Sequence, residues 1–258
     1  MRFIPIGNAE IEVDLIDVKS SLAPIVFLHE GLGSVAMWRS KASYWPELVC
    51  QATGRNGVVY SRRGYGQSSV VADVRGANRL LPDYMHREAW NVLPELLSAL
   101  QIENPVLLGH SDGATIALLF ASRFSTAACI AMAPHVMVED ISIRSIEAAK
   151  HAYESGDLKT RLSKFHQDVD CAFWQWNDVW LSPAFRSFDI RGACQEIACP
   201  VLAMQGRQDA YGTLQQIQDI TPQGVIEHQV IENCGHSPHR DRPEETLAYV
   251  TRFLADKA

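Results

Sequence analysis

The feature that most constrains the fold is a series of short apolar runs, each cut off by glycine, proline or a polar cluster. Ile25–Leu28, Val58–Tyr60, Val106–Leu108, Ile130–Met132, Val201–Met204 and His228–Ile231 are too compact to be helices. Such runs suit strands buried on both faces of a parallel sheet. Ahead of them, Phe3–Ile6 and Ile11–Val18 alternate between apolar and polar, with a turn at Gly7-Asn8. Two antiparallel strands at the edge of the sheet are expected there. Helical patterns fill the gaps. Trp38, Trp45, Leu48 and Val49 mark one helix, which Gly54 stops. Trp90, Leu93, Leu96, Leu97 and Leu100 mark another, which Pro94 must kink or split. Ile116, Leu119, Phe120 and Phe124 mark a third, and Leu247, Val250, Phe253 and Leu254 a last one. Strands alternating with helices predict a doubly wound, mostly parallel α/β sheet.

From Val136 to Ala198 this rhythm breaks. Ile141, Ile146 and Ala149, then Leu158 and Leu162, are helical in pattern, and aromatic residues crowd the remainder of the stretch. A helical cap inserted between two sheet strands is expected. It divides the chain into a core of 1–135 and 199–258 and a cap of 136–198. Most of its aromatics should pack among themselves, but the inner rim of a cap lines a pocket. Trp174, Trp176 and Trp180 are the candidate substrate-binding residues.

Composition narrows the partners. Thirty acids against 23 bases leave a net charge of −7 over 258 residues. Nucleic acid is a poor fit, because phosphate binding needs a basic stripe. No apolar run approaches the ~20 residues that cross a bilayer. The N-terminal apolar patch ends at Gly7-Asn8, with Glu10 and Glu12 next in line, unlike a secretory leader. A soluble, cytoplasmic protein is expected. The six cysteines include no Cys-x-x-Cys pair and read as buried free thiols.

Gly109-His110-Ser111-Asp112-Gly113 fits Gly-x-Ser-x-Gly, directly after one strand run and directly before a helical one. A sharp strand-to-helix turn exposes the serine hydroxyl, and glycines let neighbouring backbone pass closely. It also aims a helix N-terminus at the reacting centre, where negative charge is favoured. A serine attacks well only if an imidazole takes its proton, and that imidazole needs a carboxylate on its other nitrogen. Asp209 follows Val201–Met204 and His236 follows His228–Ile231, so both belong to loops at the carboxyl ends of strands.

These motifs resemble those of the α/β-hydrolase superfamily, nearly end to end. His29-Glu30-Gly31-Leu32-Gly33-Ser34 resembles its His-Gly-containing oxyanion loop, and Arg63-Gly64-Tyr65-Gly66-Gln67-Ser68 its Arg-Gly-x-Gly-x-Ser loop. Gly206-Arg207-Gln208-Asp209 and Cys234-Gly235-His236 resemble its acid and histidine loops. The resemblance implies hydrolysis of an ester or related acyl bond, without metal or organic cofactor, by Ser111, His236 and Asp209. The residue after His29 departs from the pattern, being Glu30 where glycine is usual. If Glu30 is an insertion, Leu32 gives the first oxyanion N–H; if it is a replacement, Gly31 does. The second is the N–H of Asp112. Losing one such donor typically costs ~3 kcal/mol of transition-state stabilisation.

A serine nucleophile separates the chain from relatives that open epoxides or displace halide with an Asp. Ser237 after His236 weakens the likeness to carbon–carbon hydrolases, which commonly carry Trp there. The Asp112 carboxylate has two readings. It sits where the helix dipole favours an anion by ~0.3–1 kcal/mol. A similar Ser-Asp-Gly elbow also occurs in relatives that hydrolyse amino-acid esters, where the Asp meets the substrate amine. His236 and His239 have a spacing that a metal could use, but the triad already claims His236. Glu30, His239 and Arg240 have no assigned role. The expectation is a serine hydrolase acting on a small ester, lactone or thioester through an acyl-enzyme. The rivals are a carbon–carbon hydrolase of aromatic ring-fission products and a non-catalytic small-molecule receptor on the same fold.

Overall fold

The eight expected strands pair in one sheet, ordered β1-β2-β4-β3-β5-β6-β7-β8. A computed structural model describes residues 1–40 and 43–257. β1 (Arg2–Ile6) and β2 (Ala9–Ile16) form the antiparallel hairpin, turning at Gly7 with φ 55°, which glycine adopts without strain. β2 also runs antiparallel to β4 (Gly57–Tyr60). Every later pairing is parallel: β4 with β3 (Ile25–Leu28), then β5 (Val106–His110), β6 (Ala128–Met132), β7 (Val201–Gly206) and β8 (Ile226–Ile231). β3 to β7 are buried along their whole length, which is why they read as unbroken apolar runs. Alternate residues feed two cores. Val26 and Leu28 join one, Ile25 and Phe27 the other, so the sheet separates them.

The helices follow the expected rhythm with two adjustments. α1 (Trp45–Thr53) ends at Gly54, whose φ of 63° gives a left-handed cap. Trp38 is not on α1. It closes a separate 3-10 turn, Val35–Trp38, and stacks on Trp45 with centroids 6.1 Å apart. Pro46 is the reason, since it has no N–H for a helix running through it and is tolerated only in the first turn. Around Pro94 the chain forms α2 (Tyr84–Arg87), a π turn (Glu88–Val92) and α3 (Leu93–Ala99), whose first turn holds the proline. The wide turn accommodates the proline ring instead of breaking the path. α4 (Asp112–Ala121) is buried at every position.

The stretch expected as a cap is helical. Between β6 and β7 lie α5 (Asp140–Ser155), α6 (Leu158–Leu162), α7 (Val169–Trp180) and α8 (Arg191–Cys194). α9 (Gln215–Gln218) follows β7, and α10 (Pro238–Asp241) and α11 (Pro243–Lys257) follow β8. Among the described residues no helix is long and apolar enough to cross a membrane. The six cysteines are free thiols, Cys199 half-buried and the others buried.

Candidate active site

Ser111 stands between β5 and α4 with φ 54° and ψ −121°, a backbone conformation that non-glycine residues avoid. The turn holds because both flanking glycines are compressed. A Cβ on Gly109 would overlap the Gly113 carbonyl, and one on Gly113 would overlap the Leu28 carbonyl. The Ser111 N–H is held by the Met132 carbonyl at 2.9 Å, so the serine is fixed to the end of β6.

The two loops after β7 and β8 bring Asp209 and His236 to the same sheet edge. His236 Nε2 lies 2.9 Å from Ser111 Oγ, and its Nδ1 lies 2.9 Å from both carboxylate oxygens of Asp209. Because a carboxylate only accepts, Nδ1 carries the hydrogen and Nε2 is free to take the one on Ser111. Asp209 is itself fixed by the Tyr211 N–H at 2.8 Å and the Gln205 amide at 3.0 Å. Burial pushes the Asp209 carboxyl up, but the His236 hydrogen bond and charge and the Tyr211 N–H outweigh it and hold it below its ordinary value. Tyr211 covers the imidazole, with ring centroids 4.7 Å apart.

In the loop after β3, hydrogen bonds hold the carbonyls of His29, Glu30 and Leu32. Arg62 donates to the His29 carbonyl at 2.6 Å and to the Glu30 carbonyl at 3.0 Å. His29 Nε2 accepts the Arg62 N–H at 3.0 Å, which leaves Nδ1 to donate to the Glu30 carbonyl at 2.7 Å. The Leu32 carbonyl accepts from His166 Nε2 at 3.0 Å. The amides of Gly31, Leu32 and Asp112 make no hydrogen bond to the described residues, and all three residues line a cavity over Ser111.

That cavity is about 220 Å³ in volume, with Ile146, Leu162, Trp176, Trp180 and Tyr211 as apolar walls. Trp176 lies directly over Gly31, where a Cβ would strike its indole. Trp174 lies elsewhere. Its ring sits under the Arg75 guanidinium at 3.8 Å and edges on Phe173 at 5.1 Å, outside the cavity. The candidate trio is therefore a pair.

Asp112 is buried with an uneven environment. Its Oδ2 accepts the Tyr84 hydroxyl at 2.5 Å, while Oδ1 is buried without a hydrogen-bond partner among the described residues. Burial raises the carboxyl above its ordinary value, although Arg62 and the Tyr84 hydrogen bond pull the other way. Sequence reasoning missed Tyr84 and His135. His135 lines the cavity, and burial together with the nearby His236 lowers its imidazole to about 3, so it is neutral. A signal existed for His135, which lies three residues beyond β6 at the edge that carries Ser111. His239 packs against Trp38 and His110, both at 4.8 Å, and its ring nitrogens have no hydrogen-bond partner among the described residues. Among the described residues no three His, Cys, Asp or Glu side chains gather as a metal site would require.

The sequence pattern of the alpha/beta hydrolase family matches residues 25–249. The chain is an alpha/beta hydrolase. Proline iminopeptidase of Levilactobacillus brevis is 22% identical over 93% of this hydrolase and 90% of its own length. The enol-lactonase of Burkholderia xenovorans superposes with a TM-score of 0.69 at 16% identity, covering 98% of this chain and 99% of that one. A thermophilic esterase of Thermogutta terrifontis gives 0.70 at 20% identity, covering 96% and 94%. At such identities the structural likeness establishes the fold. Membership in the family makes the protein a hydrolase.

Proposed function

We propose that this hydrolase cleaves a small ester, lactone or thioester through an acyl-enzyme formed on Ser111. The observation that carries this reading is the hydrogen-bonded chain from Ser111 Oγ through His236 to Asp209. His236 takes the serine proton as Oγ attacks the carbonyl carbon, then returns it to the leaving group. Asp209 holds the imidazole in the needed tautomer and stabilises the imidazolium. In the second half-reaction His236 activates water, which releases the acid and regenerates Ser111. The amides of Leu32 and Asp112 receive the oxyanion. In support, Leu32 and Asp112 both line the cavity, and neither amide has a hydrogen-bond partner among the described residues. Residues 136–198 act as a cap, with Trp176 and Trp180 in the substrate wall, and the cavity volume favours a small acyl group.

The esterase and lactonase among the structural neighbours agree with acyl chemistry. The six free thiols suit the reducing cytoplasm, where we place the enzyme. A fluorophosphonate probe should label wild-type Ser111 and leave Ser111→Ala unlabelled, and p-nitrophenyl ester turnover should vanish with it. Ester hydrolysis that survives in Ser111→Ala would falsify the mechanism. Turnover of a vinylogous diketone, but not of esters, would favour carbon–carbon cleavage. No labelling and no turnover would favour a receptor.

A finer reading rests on the unpartnered Oδ1 of Asp112. A buried acceptor without a donor loses its hydration uncompensated. An ammonium group beside the scissile carbonyl would satisfy it, so acyl groups bearing an α-amine are the favoured subclass.

A further inference from the structure

Both ring nitrogens of His110 face oxygens that only accept. Nε2 lies 2.7 Å from the backbone carbonyl oxygen of His236, and Nδ1 lies 3.4 Å from Glu30 Oε2. The ring is buried, with 1% of the side chain exposed. A neutral imidazole offers one donor and one acceptor, so one of these two contacts would set lone pair against lone pair. Glu30 is the ionised partner. Burial pushes its carboxyl up, but Arg240 and His110 more than reverse this and hold it well below the usual carboxylate range.

We propose that His110 carries hydrogen on both nitrogens and is a positioning residue, borne by Glu30 and holding the His236 carbonyl against the end of β5. This deepens, and rests on, the reading of His236 as the general base. The contacts form one line across four parts of the fold. Arg240 on α10 donates to Glu30 Oε1 at 3.1 Å and to the Met37 carbonyl at 2.9 Å. Glu30 in the loop after β3 meets His110 at the end of β5, and His110 meets the loop after β8. His236 is thereby fixed twice, at its ring by Asp209 and at its backbone by His110. The glutamate that departs from the family pattern is the residue that makes the second anchor possible.

With His110 doubly protonated, Arg240 and His110 are two cations against the Glu30 carboxylate. The rings of His239 and His236 face His110 at 4.8 and 5.2 Å. Burial keeps His239 well below its ordinary value and His135 at about 3, so neither adds a cation. Glu30 is the acidic side chain in hydrogen-bond contact with the His110 ring, and Arg240 stands on the far side of Glu30.

Two measurements test this. In ¹⁵N-labelled wild-type protein at pH 7, both His110 ring nitrogens should show attached hydrogens, and Nδ1 should lose its hydrogen in Glu30→Gln. An Nδ1 without hydrogen in the wild type overturns the pairing. In turnover, His110→Phe should lower kcat about ten- to a hundred-fold with KM within about two-fold, the penalty of a misplaced catalytic group. His110→Gln, whose amide reaches the His236 carbonyl, should recover most of the loss. An unchanged kcat in His110→Phe overturns the positioning role. Should that variant fail to fold, the two spectra still decide the proton count. They need no turnover, so a Ser111 that resists fluorophosphonate sinks the acyl-enzyme reading without touching this one.

Discussion

Trp180 and Tyr84 meet at 3.0 Å, indole N–H to phenolic oxygen, and the same hydroxyl donates to Asp112 Oδ2 at 2.5 Å. One aromatic of the helical segment thus reaches the residue after the nucleophile through a single intermediary. The arrangement fixes the Asp112 carboxylate by Oδ2 and leaves the buried Oδ1 without a hydrogen-bond partner among the described residues.

Asp112→Asn keeps the backbone N–H and nearly the same volume while removing the charge. The ratio of kcat/KM for α-amino esters over neutral esters should fall roughly ten- to a hundred-fold, the worth of a partly desolvated charged hydrogen bond of ~1.5–3 kcal/mol. The loss should persist in high salt, because a buried pair is poorly screened. An unaltered ratio leaves Asp112 with only its amide in the mechanism.

Asp209→Asn should fold and bind substrate but lower kcat by about 10³–10⁴-fold. The amide can present a donor to His236 Nδ1 and so select the wrong tautomer. His236→Ala and Ser111→Ala should each lose about as much as the pair together, since such residues act as a unit. Steady-state kinetics on a single ester checks both statements, and additive losses would contradict them.

The three tryptophans should part company on truncation. Trp180→Ala removes a fully buried ring and the bond to Tyr84, so its main cost is stability, about 3–5 kcal/mol. Trp176→Ala opens the wall over Gly31 and should shift KM and acyl preference. Trp174→Ala should leave KM and acyl preference alone and cost stability, through a cation–π contact of ~0.5–1 kcal/mol with Arg75 and edge packing on Phe173 and Tyr153. Melting curves beside kinetics on short and long acyl esters separate the three.

His135 ties stability to pH. Its folded-state value of about 3 lies below the ~6.5 of an unfolded imidazole, so between those limits the unfolded chain binds a proton that the folded chain refuses. The His135 contribution is complete above pH ~6.5 and declines as pH falls toward 3, by about 1.4 kcal/mol per unit. His135→Asn should flatten the acid limb of the stability curve by that slope in urea titrations at pH 7, 5.5 and 4. His29 and His239, lowered by burial in the same direction, keep the remaining slope in the variant. An identical slope in both proteins would remove His135 as a source.

What the sequence revealed was local. Strands buried on both faces announce themselves residue by residue, and Ser111, Asp209 and His236 each follow a strand that the pattern already marks. Trp38 was misplaced because its spacing to Trp45 fits a helix that Pro46 forbids. Trp174 was grouped wrongly although the spacing carried the answer. Two residues along a helix lie on nearly opposite sides, while Trp176 and Trp180, four apart, share a face. Tyr84 and the Glu30–His110 contact were invisible, because partners 28 and 80 residues away leave no trace in a local pattern.

β6 and β7 pair directly, Cys129 with Val201 through Met132 with Met204, although everything from α5 to α8 lies between them in the chain. To the sheet, that whole excursion departs and returns at adjacent rungs. Its length and sequence can therefore drift without moving a single ladder bond. Ser111 and Asp209, seated at rung ends, have no such liberty. A lineage built on this plan can change its diet while keeping its teeth.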